Sequence, residues 1–256
     1  MVRQMTENIF RVKIVKTGES WVPGPEVYRM SGWDSWELLH FHMVLAYNRD
    51  TNFLINTGLP EDLTERNNAM VRFAGERAKF ISLDSVDILK KMGFPPDSIE
   101  NISFTPIQDY TTGRADMFNR ATYHILKKGW IDDIVVPGEH NAERNLFVPE
   151  RILQYLDFVA HRRIRYFDAE SITELVPGID ALWVGCHHRA SLAFIINTSG
   201  GKVVFTDAAF KKNNIRNKIP MGIAENIFEC YSAYRAMERY GRILPAYDPD
   251  ITGMEF

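Results

Sequence analysis

Strand-length and helix-length patterns alternate through both halves of this chain, and each half opens on a run of strands. That order predicts an α/β (α+β) fold, an αββα four-layer sandwich with two packed sheets and helices outside. Two further observations support it. Short, largely apolar runs such as 99–104 and 202–206 have the length of buried strands and end in turn residues. No Pro/Gly/Ser-rich linker, charge block or internal repeat divides the chain, so residues 1–256 read as one domain.

Residues 10–15 alternate apolar and polar and predict the first strand. The stretch 17–36, with Pro23, Gly24, Pro25 and Gly32, reads as a long loop. Its rings Trp21, Trp33 and Trp36 either roof a pocket or pin the loop to the core. Runs 38–47 and 52–56 read as a strand pair turned at 48–50. His40 and His42 share one face of its first strand, as metal ligands or, the favoured reading, as hydrogen-bonded members of a half-buried face. Helical periodicity covers 61–80, interrupted at Gly75, and a second helix over 86–92 stops at Gly93. The strand at 99–104 leads through a polar turn into a short helix at 115–118, and another strand follows at 121–126. Segment 130–143, with His140, reads as a loop, and 149–159 as a helix with proline at its first turn. Strands are expected at 164–167, 181–185, 191–197, 202–206 and 242–245, with a hairpin turn at Ser199-Gly200-Gly201. A long amphipathic helix spans 223–240.

Composition narrows the partners. A net charge of -3 over scattered Lys and Arg offers no basic face, which argues against nucleic acid. No run approaches the roughly 18 apolar residues of a membrane span, so no membrane partner is expected. Two cysteines, Cys186 and Cys230, are too few for a disulfide framework, and a reducing cytoplasm is the expected setting. Cys230 reads as a small buried apolar residue. The expected partner is a small-molecule substrate, with the aromatic loop offering a homodimer contact.

Five segments in order carry a resemblance. Leu54-Ile55-Asn56-Thr57-Gly58, the run from Ile102 to Phe118, Val184-Gly185-Cys186-His187-His188, Phe205-Thr206-Asp207-Ala208 and Leu244-Pro245-Ala246-Tyr247-Asp248 are spaced like the landmarks of one family. Over nearly its whole length the chain resembles the metallo-β-lactamase fold, and within it the N-acyl-homoserine lactonases. The resemblance implies a hydrolase whose His and Asp side chains hold two metal ions that polarise a lactone carbonyl and supply hydroxide. Residue by residue, the ligand positions fall on Pro106, Gln108, Tyr110, Thr111, Cys186, Asp207 and Tyr247, and only Asp207 keeps the ligand type. A tyrosine that family members often place three residues after the bridging Asp falls on Phe210. The resemblance therefore implies the fold without the dinuclear centre, and no metal cofactor is expected.

What remains is a polar set at a cavity's expected position. Asp207 reads as a general base or acid. Tyr110 and Tyr247 read as donors to a carbonyl oxygen. Cys186 with His187 or His188 reads as a nucleophile and base, against the alternative of an inert buried thiol. Gln108, Asp109, Thr111, His188, Trp33 and Phe210 complete the expected substrate-binding set. The leading expectation is a metal-independent hydrolase, or a ring-opening or ring-closing enzyme, on a lactone or cyclic amide. The alternatives are an inactive small-molecule binder and a single-metal hydrolase using Asp207, Cys186 and a histidine.

Overall fold

The computed structural model of the chain describes residues 8–135 and 148–256. Twelve strands among these residues form two sheets. The first holds β1 (Arg11–Pro23), β2 (Trp36–Tyr47), β3 (Asn52–Ile55), β4 (Ile81–Ser82), β5 (Asn101–Ser103), β6 (Thr122–Leu126) and β7 (Ile164–Phe167), in the spatial order β4-β1-β2-β3-β5-β6-β7. The second holds β8 (Thr173–Val176), β9 (Ile179–Trp183), β10 (Leu192–Thr198), β11 (Gly201–Thr206) and β12 (Arg242–Pro245), in the order β12-β11-β10-β9-β8. β3, β5, β6 and β7 run parallel, and so do β11 and β12.

Side-chain alternation sorts the residues into layers. Phe53 and Ile55 of β3 face the same cluster as Phe194, Val204 and Phe205 of the second sheet, while Leu54 faces an outer cluster with Ile102 and Tyr123. Each large apolar side chain sealed this way contributes roughly 1.5–3 kcal/mol relative to exposure. Helices cover the outside. α3 (Ser85–Lys91), capped by Asp84, delivers Val86 and Leu89 to the outer cluster. α8 (Ile227–Met237), whose cap Asn226 accepts from the Phe228 and Glu229 amides, delivers Cys230, Ala233, Tyr234 and Met237 to the first cluster. The αββα layering is the one expected.

Several boundaries differ. The loop expected at 17–36 is strand as far as Pro23: the register shifts between Lys16 and Gly18, and pairing with β2 then resumes through Val22 and Glu37. The turn α1 (Gly24–Val27) follows, and β2 already begins at Trp36. Trp21 and Trp36 stack on the Arg77 guanidinium at 4.7 and 5.0 Å, which pins them, while Trp33 is 69% exposed. The helix at 61–80 is shortened to α2 (Thr64–Ala74), because Gly75 leaves helical space at φ 88°. Residues Asp109–Thr112 form a helical turn, α4, inside the polar stretch, and Ala115–Met117 is a single 3₁₀ turn. Segment 130–143, expected as loop, is helical through Val135: α5 (Lys127–Gly129) runs into a π-helical turn, Trp130–Val135. His140 lies outside the described residues. α6 (Glu150–Gln154) continues as a π-helical turn to Val159. β8 and α7 (Lys212–Arg216) are additions to the expected elements.

The two cysteines correct the sequence reading most sharply. Cys186 and Cys230 form a disulfide, with Cα atoms 4.8 Å apart. The expectation of a reducing cytoplasm, drawn from two cysteines being too few for a disulfide framework, loses the support of the cysteine count. No helix among the described residues is long and apolar enough to cross a membrane.

Candidate functional site

The C-terminal ends of β3, β5, β9, β11 and β12 converge, and the loops leaving them carry the residues singled out from sequence. Asn56, just past β3 and at φ 64°, accepts the Thr105 amide at 2.9 Å and donates from Nδ2 to the His42 carbonyl at 3.2 Å. This amide thus acts as a backbone staple between β2 and the ends of β3 and β5. His42 bonds the Ala246 carbonyl at 2.7 Å and Thr252 at 2.8 Å, and His40 bonds Thr252 at 2.8 Å. Both histidines are satisfied members of a packed face, as favoured from sequence.

Asp207 sits at the end of β11, fully buried. Its Oδ1 accepts from the Thr105 hydroxyl, and its Oδ2 accepts from Ser191 Oγ at 2.6 Å and faces His187 Nδ1 at 3.1 Å. Three partners offset the cost of burying the carboxylate. Thr105 comes from the first sheet and Ser191 and His187 from the second, so Asp207 ties the sheets together at this end. Burial holds the His187 imidazole near pKa 4 against the pull of Asp207, and His188, its tilted ring 4.0 Å away, lowers it further. His188 is itself held 3.4 Å from Glu225.

Beside this dyad stands an aromatic cluster. Tyr247 meets Phe210 edge-on at 4.7 Å, Tyr110 at 5.9 Å, Phe41 at 5.9 Å and His187 at 6.1 Å. Burial raises the pKa of both phenols, so they remain protonated donors. The buried Tyr247 hydroxyl makes no hydrogen bond of ordinary geometry among the described residues, and its polar neighbour is the Tyr110 phenol, which adds to the rise in its pKa.

The remaining predicted residues take other places. Thr111 Oγ1 donates to the Pro106 carbonyl at 2.6 Å and accepts the Gln108 amide at 3.0 Å, closing α4 on itself. Gln108 is buried, and its carbonyl accepts the Thr112 hydroxyl at 2.7 Å. Asp109 turns to Arg66, which grips it with Nε and Nη2 at 2.8 and 2.6 Å. The Arg66 guanidinium lies 5.8 Å from the Tyr110 ring centroid. Trp33, expected to bind substrate, is exposed and makes no ring contact with the cluster. Cys186, expected as nucleophile or ligand, spends its sulfur on Cys230. That corrects the thiolate reading and removes the single-metal set of Asp207, Cys186 and a histidine.

Sequence reasoning passes over four contributors. Thr105 and Ser191 each flank a motif but carry ordinary polar side chains; Phe41 is an apolar strand residue, and Arg66 lies on a helix remote in sequence. Among the described residues, no three of His, Cys, Asp and Glu gather to hold an ion. Pro106 has no side-chain donor, and Thr111 and Tyr110 are engaged in a turn and a ring stack. This donor set does not fit a dinuclear centre.

No family model matches the chain, and no curated protein matches it. Solved structures do. An N-acyl homoserine lactone hydrolase with its product N-hexanoyl-L-homoserine at the catalytic metal centre superposes with TM-score 0.75 at 18% identity, covering 95% of each chain. A mutant of B. thuringiensis AiiA with N-decanoyl-L-homoserine bound at the active site gives the same values. A probable metal-dependent hydrolase from Staphylococcus aureus gives 0.73 at 14% identity over 93% of this chain and 88% of the other. At these identities the likeness shows the fold: this chain has the metallo-β-lactamase-type architecture of those lactonases.

Proposed function

We propose that the chain is a hydrolase of a small carbonyl compound, of lactone or cyclic-amide type, which uses His187 as general base and works without a dinuclear metal centre. The observation that carries this reading is the Asp207–His187 contact beside the buried, protonated phenols of Tyr247 and Tyr110. With Asp207 accepting Nδ1–H, the imidazole lone pair lies on Nε2, which bonds no described residue. A pKa near 4 keeps the ring neutral at pH 7.

The chemistry follows from these positions. Nε2 takes a proton from water as its oxygen attacks the carbonyl carbon. The Tyr247 hydroxyl donates to the oxygen that gains charge, with Tyr110 beside it. The tetrahedral intermediate collapses as the proton passes from Nε2 to the leaving oxygen or nitrogen. Asp207, expected from sequence to be the base, instead orients the imidazole and offsets its transient positive charge. The N-acyl homoserine lactone hydrolases of the same fold support the substrate class.

The test is hydrolysis of a panel of simple lactones by chelator-treated protein. Turnover should survive chelation and fall by at least about 100-fold in His187→Gln with the circular dichroism spectrum unchanged. In the parent protein, kcat/KM should rise as pH climbs through about 4 and then level off. Turnover that needs added zinc, or that His187→Gln leaves intact, sinks the assignment.

A second reading is a catalytically inactive small-molecule binder, in which the Asp207–His187 contact, with His187 and Tyr247 each only 3% exposed, serves to tie the two sheets together. Saturable lactone binding with no product after prolonged incubation would establish it.

A further inference from the structure

The loop that carries His187 leaves β9 through two residues in the left-handed region, Gly185 at φ 54° and Cys186 at φ 72°. Glycine adopts that conformation freely, whereas the Cβ of Cys186 crowds the backbone there. Such a bend persists where its surroundings over-determine it. His187 follows directly, and its N–H reaches back to the Gly185 carbonyl at 2.9 Å. The bend therefore sets the direction from which the imidazole meets Asp207.

Three ties hold Cys186 to the start of α8. Its sulfur is bonded to Cys230, its carbonyl accepts the Asn226 N–H at 3.3 Å, and its own N–H donates to Glu229 Oε2 at 2.9 Å. A Cβ on residue 185 would stand 2.1 Å from that Oε2, so glycine is what lets the carboxylate reach the amide. The same carboxylate accepts from both outer nitrogens of Arg189, at 3.1 and 2.6 Å, and from Asn226 Nδ2 at 3.2 Å. Burial works against its charge, but Arg189 and the Cys186 amide hold the Glu229 carboxyl below its ordinary value. Glu229 thus grips the loop one residue before His187 and two residues after it.

We propose that Glu229 is a positioning residue for His187. Its carboxylate locks the bend at Cys186, and through that bend keeps Nδ1 of the imidazole on Asp207 and Nε2 free for the reaction. The inference rests on the reading of His187 as the base. A base displaced by about 1 Å loses on the order of 100-fold in rate, so the defect belongs in kcat rather than in substrate binding.

Steady-state kinetics and histidine NMR test it. Glu229→Ala should lower kcat at least about tenfold with KM within about twofold. Glu229→Gln, whose amide oxygen still accepts the Cys186 N–H, should recover most of that loss. With isotope-labelled histidine, the parent should show His187 as a single Nδ1-protonated tautomer, assigned by its absence from His187→Gln. Glu229→Ala should show mixed tautomers, and Glu229→Gln the parent pattern. Where Glu229→Ala does not fold, Glu229→Asp, which keeps the charge but withdraws it by one methylene, carries the same expectation. A risen KM with unchanged kcat, a parent-like His187 tautomer in Glu229→Ala, or a glutamine variant as impaired as the alanine one overturns the role of Glu229. The tautomer needs no turnover. A parent without lactone hydrolysis whose His187 still answers to Glu229 overturns the hydrolase reading and upholds the positioning.

Discussion

Glu26 lies on α1 with its Oε1 buried and unpartnered among the described residues, and desolvation raises its pKa to about 7. The folded state therefore binds a proton that the unfolded chain, near 4.5, has released. Stability from this group is complete below about pH 4.5 and is lost as pH rises towards 7. Glu26→Gln should thus stabilise the protein by about 3 kcal/mol at pH 8 and by less than about 1 kcal/mol at pH 5, read from urea midpoints. An equal shift at both pH values would refute this account. Buried histidines have the opposite sign. His42 and His187 are held near pKa 4, so their stability is present above about 6.5 and is lost as pH falls towards 4. At this scale the sequence is informative where a side chain's chemistry decides the matter: proline cannot ligate, and a lone carboxylate cannot hold two ions. It is silent where the partner is remote, as with Arg66 and Asp109, 43 residues apart.

The turn α4 depends on a close approach that only glycine permits. A Cβ on Gly113 would stand 2.2 Å from the Pro60 nitrogen and 2.6 Å from the Asp109 carbonyl oxygen. Gly113 N–H meanwhile bonds the Gly58 carbonyl at 2.9 Å, docking the turn against the end of β3. Gly113→Ala should cost about 1–3 kcal/mol, measured by thermal or urea unfolding. A neutral effect would mean that the turn shifts freely. Elements whose periodicity runs uninterrupted are legible in the sequence, such as β10, β11 and α8. β1 extends beyond its sequence pattern because the bulge at Thr17 interrupts the alternation, which resumes with Gly18, Ser20 and Val22 inward, and Pro23 ends it where a loop is the natural expectation. α4 is hidden because Thr111 and Gln108 read as former ligand positions, whereas their hydrogen bonds build a helical turn.

For the molecule as a whole, the two packed sheets with helices outside are legible in the order of local patterns and in the family resemblance, whereas the order of strands within each sheet is not. The covalent bond joining the β9 loop to α8 is not legible either, because spacing alone does not pair two cysteines. A loop closed over 44 residues stabilises the fold by about 4 kcal/mol in the chain-entropy estimate. Cys186→Ser with Cys230→Ser should lower stability by about 2–4 kcal/mol, and a dithiol reductant at high temperature should act similarly on the parent. Unchanged melting on both counts would show that the bond carries no stabilising weight.

The same bond turns the stretch between Cys186 and Cys230 into a ring closed by sulfur. A protease that nicks the backbone anywhere inside that ring, for instance in α7, leaves both halves joined. Mass spectrometry would then find one species of the parent mass plus one water, and two fragments only after reduction.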